Sequence, residues 1–110
     1  SDNPRPITYQ SSYTACLAIN PLAEIEEKVT IAGKHCESGD VLMSDIHLPP
    51  SKSGEVLVVF GTGAYNYAMA SNYNRARKAA MLLVSNSRVT ELVKRESLAY
   101  LISNDRTLSL

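Results

Sequence analysis

Glu55-Val56-Leu57-Val58-Val59-Phe60 is the most strand-like stretch of this chain, and Gly61-Thr62-Gly63-Ala64-Tyr65 follows it. The run is β-branched and almost continuously apolar, as a buried strand requires. The residues after it decide the class of fold. Asn66 stands where the third glycine of a GxGxxG turn would be, and no Gly-Lys-Ser/Thr follows, so neither a dinucleotide turn nor a P-loop opens here. The two glycines around Thr62 instead let the backbone approach a ligand or another strand closely. Working outward, residues 41–48 read as a strand stopped by Pro49-Pro50, and residues 29–33 as a shorter one. Residues 13–19 read as a strand broken by Asn20-Pro21, and the acidic stretch 22–28 as a helical turn or a loop. Residues 1–6, where two prolines bracket Arg5, predict an extended, non-helical lead-in that holds Arg5 stiffly. On the other side, residues 66–75 are rich in Asn and Tyr and read as an ordered loop with room for one helical turn. Residues 79–84 fit strand or helix. The turn Ser85-Asn86-Ser87 and the alternation of residues 89–93 favour a hairpin. Residues 96–102 have helical spacing (Leu98, Leu101, Ile102). About six short strands predict a mainly β fold, a small Greek-key-like barrel or sandwich with a short C-terminal helix. The 110 residues, 1–110, make one domain.

Composition excludes several classes of function. Eleven basic and eleven acidic residues cancel, and no basic run remains, so no nucleic acid is expected as a partner. The longest apolar run, 56–60, is too short to span a membrane, and no secretory signal pattern is visible. Cys16 and Cys36 do not make a disulfide framework, so a cytoplasmic location with two free thiols is the simpler expectation. There is no CxxC or HExxH, and His35 and His47 have no spaced partners, so no metal is expected. The chemistry is concentrated in His35-Cys36-Glu37-Ser38-Gly39-Asp40, a thiol and two carboxylates on a turn between two strands. From residues alone, a surface loop with an incidental cysteine is the stronger alternative. Cys16, inside a strand, reads as core.

Four motifs taken together carry more. Arg5-Pro6-Ile7-Thr8-Tyr9, Cys36-Glu37-Ser38-Gly39-Asp40, Gly63-Ala64-Tyr65 and Ser71-Asn72-Tyr73-Asn74 occur in order across residues 2 to about 102. In this arrangement the chain resembles the C-terminal β-domain of the diaminopimelate decarboxylases. These belong to the pyridoxal-phosphate decarboxylases with a (β/α)₈ barrel, a group that also holds the ornithine and arginine decarboxylases. One departure is visible: the family often has Arg-Pro after the Asn-Tyr-Asn loop, and here the segment reads Arg75-Ala76-Arg77-Lys78-Ala79.

The resemblance implies a lyase of lysine biosynthesis. Its cofactor would be pyridoxal 5'-phosphate, its substrate meso-diaminopimelate, and it would be a homodimer with shared active sites. The Schiff-base lysine would lie on the barrel, which is absent here. None of Lys28, Lys34, Lys52, Lys78 and Lys94 matches the cofactor motif, so the 110-residue chain is expected to be inactive alone. Cys36 would be the catalytic proton donor, since a thiol is mostly protonated near neutral pH and gives up one proton readily. Glu37 would bind the distal ammonium of the substrate. Arg5 would grip its distal carboxylate through two parallel N–H bonds, with Tyr9 adding a hydroxyl. Tyr65 would reach both cofactor and substrate. Asp40 is expected to orient the turn, and Tyr67, Tyr73 and Tyr100 to serve packing or interfaces. The bland alternatives are a solvated carboxylate for Glu37, a surface charge for Arg5 and a core aromatic for Tyr65. Two other functions stay open: a related decarboxylase acting on a carboxylated polyamine precursor, arginine or ornithine, and a non-catalytic β-domain for assembly or binding.

Overall fold

The structure is a computed structural model that describes residues 4–19 and 27–107. Six strands form three two-stranded antiparallel ladders. Strand β1 (Thr14–Leu17) pairs with β4 (Leu57–Phe60), and between them in sequence the hairpin of β2 (Glu27–Ala32) and β3 (Val41–Leu48) is inserted. The register runs Thr14 opposite Phe60 to Leu17 opposite Leu57, and Glu27 opposite Leu48 to Ala32 opposite Val41. The mainly β expectation holds, and so does the short C-terminal helix. That helix is α3 (Leu98–Leu101), after α1 (Pro6–Tyr9) and α2 (Asn66–Met69), each a single turn. The Ser97 side chain accepts the Tyr100 N–H at 3.0 Å and so caps α3.

Two segments, Pro6 and Glu27-Lys28, differ from their sequence reading. Pro6 lies in α1 rather than in an extended lead-in. At the first position of a helix, proline loses no hydrogen bond and brings its φ already set, so the signal taken as a breaker is a starter. Of residues 79–84, 81–84 resolve as strand: β5 (Met81–Ser85) pairs with β6 (Arg88–Val93) around Asn86-Ser87. Both turn residues have positive φ, 48° and 59°, the geometry that matches the twist of a two-residue hairpin. Glu27 and Lys28 belong to β2; the break at Asn20-Pro21 and the rest of the acidic stretch lie outside the described residues.

The core is small. Among the described residues, Leu17, Met43 and Leu48 are the buried hydrophobic side chains, joined by the fully buried Pro4. Both faces of the β5–β6 hairpin are exposed, including Leu82, Val84, Val89 and Leu92. The accessible surface is 8589 Å², where a compact domain of this length exposes about 6,000 Å². The radius of gyration is 16.8 Å, against about 13 Å for a compact chain of this length. Exposed apolar side chains gathered on one hairpin are the kind of surface that another body covers.

Candidate active site

Loop 33–40 joins β2 to β3, and its mouth is closed by the Gly33 N–H donating to the Asp40 carbonyl at 2.8 Å. The Asp40 side chain is 3% exposed, and its Oδ2 accepts the His35 N–H at 2.8 Å. Asp40 therefore ties the start of the loop to its end, the orienting role its place in the sequence suggested. The Asp40 N–H in turn donates to the Glu37 carbonyl at 3.2 Å. The Glu37 side chain is half-buried and folds over Gly39, where a Cβ would stand 3.4 Å from Glu37 Oε1. Between these braces Cys36 is exposed, a free thiol. Its Sγ accepts a hydrogen bond from Asn74 Nδ2 at 2.9 Å, and its carbonyl accepts one from the Tyr73 hydroxyl at 3.4 Å. The His35 ring meets Tyr73 edge-on, with centroids 5.6 Å apart. Tyr73 thus does more than pack, and Asn74, quoted in the Ser71–Asn74 motif without a role, meets the thiol directly.

The segment that reaches Cys36 is itself held at both ends. Asn74 and Arg75 are left-handed, with φ of 54° and 55°, inside the 3₁₀ turn Tyr73–Arg75. Asn72 Nδ2 donates to the Ala76 carbonyl at 3.0 Å and to Glu96 Oε2 at 2.6 Å. Glu96 also accepts the Lys78 N–H at 2.9 Å. Arg75 forks onto Asp105, at 2.7 Å and 3.2 Å. The departure at residues 75–79 therefore has a defined exit, with Ala76 extended and Lys78 fixed to Glu96.

These contacts shift three charges. The Lys78 backbone N–H holds the Glu96 carboxyl below its ordinary range; Asn72 and the Lys78 charge act the same way, and burial opposes them. The Arg75 hydrogen bond lowers Asp105 and raises Arg75. A carboxylate with a depressed folded pKa gives its full stabilisation above the unfolded value and loses it as pH falls through the folded one. Acid should therefore loosen residues 72–78. Amide hydrogen exchange reads this directly: protection of the Lys78 N–H is expected to fall below the ordinary carboxylate range. In Glu96→Gln, whose amide does not titrate, that pH dependence should vanish; if it persists, Glu96 is not the trigger.

Arg5, Tyr9 and Tyr65 lie elsewhere. Arg5 is exposed between the buried Pro4 and Pro6, with left-handed backbone (φ 48°), and its carbonyl accepts the Tyr9 N–H at 3.2 Å. Tyr9 and Tyr65, both exposed, line one cavity of about 610 Å³ with Pro4, Gly61, Ala64 and Met69. Tyr9 and Tyr65 thus share a cavity that Cys36 and Glu37 do not line, and Arg5 is not on its lining either. No helix among the described residues is long and apolar enough to cross a membrane.

Residues 1–63 match the model of the pyridoxal-dependent decarboxylase C-terminal sheet domain. The chain belongs to this family. Its relatives include the diaminopimelate decarboxylase of Synechocystis sp., 51% identical over 96% of this chain, and that of Bacillus subtilis, 48% identical over 96%. Among solved structures, the diaminopimelate decarboxylase of M. jannaschii in complex with L-lysine matches with a TM-score of 0.84 and 36% identity over 97% of the chain. That of Helicobacter pylori, also with L-lysine, gives 0.81 and 30% over 93%. The chain spans 22% of the Synechocystis protein and 24% of the M. jannaschii chain, so it is similar to a quarter or less of each of these decarboxylases.

Proposed function

We propose that this chain is the C-terminal sheet domain, residues 1–110, of a cytoplasmic diaminopimelate decarboxylase. The full-length enzyme would convert meso-2,6-diaminopimelate to L-lysine and CO2 as a homodimer. The observation that carries the reading is Cys36: an exposed thiol on a turn braced by Asp40, with Glu37 beside it and its sulfur held by Asn74. The names and 45–51% identities of the relatives support the same reading.

The residues present fit one wall of a pyridoxal phosphate site. The cavity is lined by Tyr9 and Tyr65 beside Gly61, which follows β4, and no lysine lines it. The Schiff-base amine then belongs to the part of the enzyme outside this chain. Bound pyridoxal phosphate would take up the electron pair that departing CO2 leaves behind. The chain's own residues do the rest. The Cys36 thiol delivers one proton to the carbon that carried the carboxylate. Glu37 holds the distal ammonium, Arg5 with Tyr9 holds the distal carboxylate, and Tyr65 orients cofactor and substrate together.

That Cys36 and Glu37 do not line the cavity of Tyr9 and Tyr65 supports a site shared across a twofold axis, where one subunit would supply the cavity and its partner the Cys36 turn. The uncovered apolar hairpin and the excess surface support packing against a larger body.

The test uses the full-length polypeptide that contains this chain, supplied with pyridoxal phosphate. CO2 release is assayed from meso-diaminopimelate beside ornithine, arginine and a carboxylated polyamine. Release from diaminopimelate, with lysine as product, at least about 100-fold above the others in kcat/KM is expected from a site that pairs the distal carboxylate. Preference for another substrate would overturn the roles of Arg5 and Glu37.

A further inference from the structure

We infer that Asn74 is a positioning residue for the proton donor, acting through the sulfur of Cys36; the inference rests on the reading of Cys36 given above. Four observations carry it. The Asn74 amide donates to Sγ at 2.9 Å across 38 residues of sequence. The neighbouring Tyr73 hydroxyl grips the carbonyl of the same cysteine, so consecutive residues hold its backbone and its side chain. Asn74 sits at φ 54° and ψ 27°, a region where Asn is among the best tolerated residues that still carry a side chain. Finally, the segment is tied down on both sides of Asn74, by Asn72 to Glu96 and by Arg75 to Asp105, so the amide cannot follow a wandering sulfur.

The chemistry follows from the direction of that bond. The sulfur accepts from Asn74, which engages one lone pair and turns the S–H bond away from the amide. Of the Cys36 rotamers, one is selected, and the thiol proton has one direction of approach. When the thiol gives up its proton, the same N–H already faces the negative sulfur, and the bond becomes charge-assisted without rearrangement. Asn74 touches neither substrate nor cofactor in this account; it fixes the face from which the proton arrives.

Deuterium makes that face visible. In D₂O the C–CO2 bond breaks, and the electron pair it leaves behind returns to that carbon to take one deuteron from S–D in the new C–D bond. Solvent then recharges the sulfur. A fixed donor gives lysine labelled once, in a single configuration, at the carbon that lost the carboxylate. Two variants of the full-length holoenzyme separate the amide from the backbone. Asn74→Gly keeps the left-handed turn and removes the amide; Asn74→Asp keeps the size and presents an acceptor to the sulfur. For both, kcat is expected to fall about tenfold with KM within about twofold, the pattern of a contact that matters in the chemical step. The label should appear in both configurations. A packing role would instead move the thermal midpoint and leave a single configuration, and that result would overturn the inference. Cys36→Ala assayed alongside keeps the two claims apart. If Cys36→Ala retains wild-type kcat and a single configuration, the reading of Cys36 itself fails. If it loses them while both Asn74 variants keep them, only the role of Asn74 fails.

Discussion

Cys36→Ala in the full-length enzyme is expected to lower kcat for lysine formation by about 10²- to 10⁴-fold, the contribution of a positioned acid, with KM nearly unchanged. The structure gives reasons to expect so selective a loss. Cys36 is exposed, and its side chain is bonded to Asn74 on a surface segment, so its removal opens no cavity in the core. The loop keeps its shape through contacts that do not use the thiol: Asp40 to the His35 N–H, Gly33 to Asp40, and the Tyr73 hydroxyl to the Cys36 carbonyl. On the proposed reading, what disappears is the proton source, and water must substitute from bulk without a fixed direction. The same variant tests whether the site is shared. When Cys36→Ala subunits are mixed one to one with subunits lacking the Schiff-base lysine, random pairing makes half of the dimers mixed. Each mixed dimer has one intact site if Cys36 serves the partner's lysine, which gives about a quarter of wild-type activity. If both groups serve the same subunit's site, no activity returns although mixed dimers form.

Much of this was legible in the sequence, and the part that was not has a common cause. Residues 41–48 and 55–60 announce strands because a short apolar β-branched run has few other uses. The turn at Cys36 was legible because Ser38-Gly39 between two strands leaves little else. Even the role of Asp40 could be argued from its type and place. What escaped are pairings between distant segments. Tyr73 and Asn74 look like ordinary loop residues until the fold sets them against Cys36, 37 and 38 positions earlier. Glu96 looks like the first residue of a terminal helix; it is the anchor for Asn72, 24 positions away. No periodicity encodes such contacts. The preference of Asn for left-handed backbone was the one local signal available, and it points to a tight turn rather than to a thiol. The apolar β5–β6 hairpin shows the converse limit. Residues 79–84 are apolar and residues 89–93 alternate, yet within this chain Leu82, Val84, Val89 and Leu92 are exposed. A sequence declares that a face must be covered without declaring by which body.

Arg5→Lys is the second large effect, and it bears on which substrate the enzyme takes. The guanidinium stands outside two buried prolines, and among the described residues no carboxylate pairs with it. It is therefore free to meet a ligand, and Tyr9 follows it one helical turn later, on the wall of the cavity. Diaminopimelate carries a distal carboxylate that ornithine and arginine lack, and two parallel N–H bonds recognise it as one ammonium cannot. A charge-assisted hydrogen bond contributes about 1.5–3 kcal/mol, so losing the fork should lower kcat/KM for diaminopimelate by roughly 10- to 150-fold. Activity towards a substrate without that carboxylate should not fall, and repulsion of its terminal amine should not worsen, because the charge is kept. The backbone supplies the control. Arg5 has φ 48°, a conformation that strains a side-chain-bearing residue and suits glycine. Arg5→Gly is therefore expected to keep the thermal midpoint or raise it while losing at least as much kcat/KM as Arg5→Lys. If Arg5→Gly and Arg5→Lys both retain wild-type kcat/KM for diaminopimelate, the distal carboxylate is recognised by other groups and Arg5 serves only to start α1.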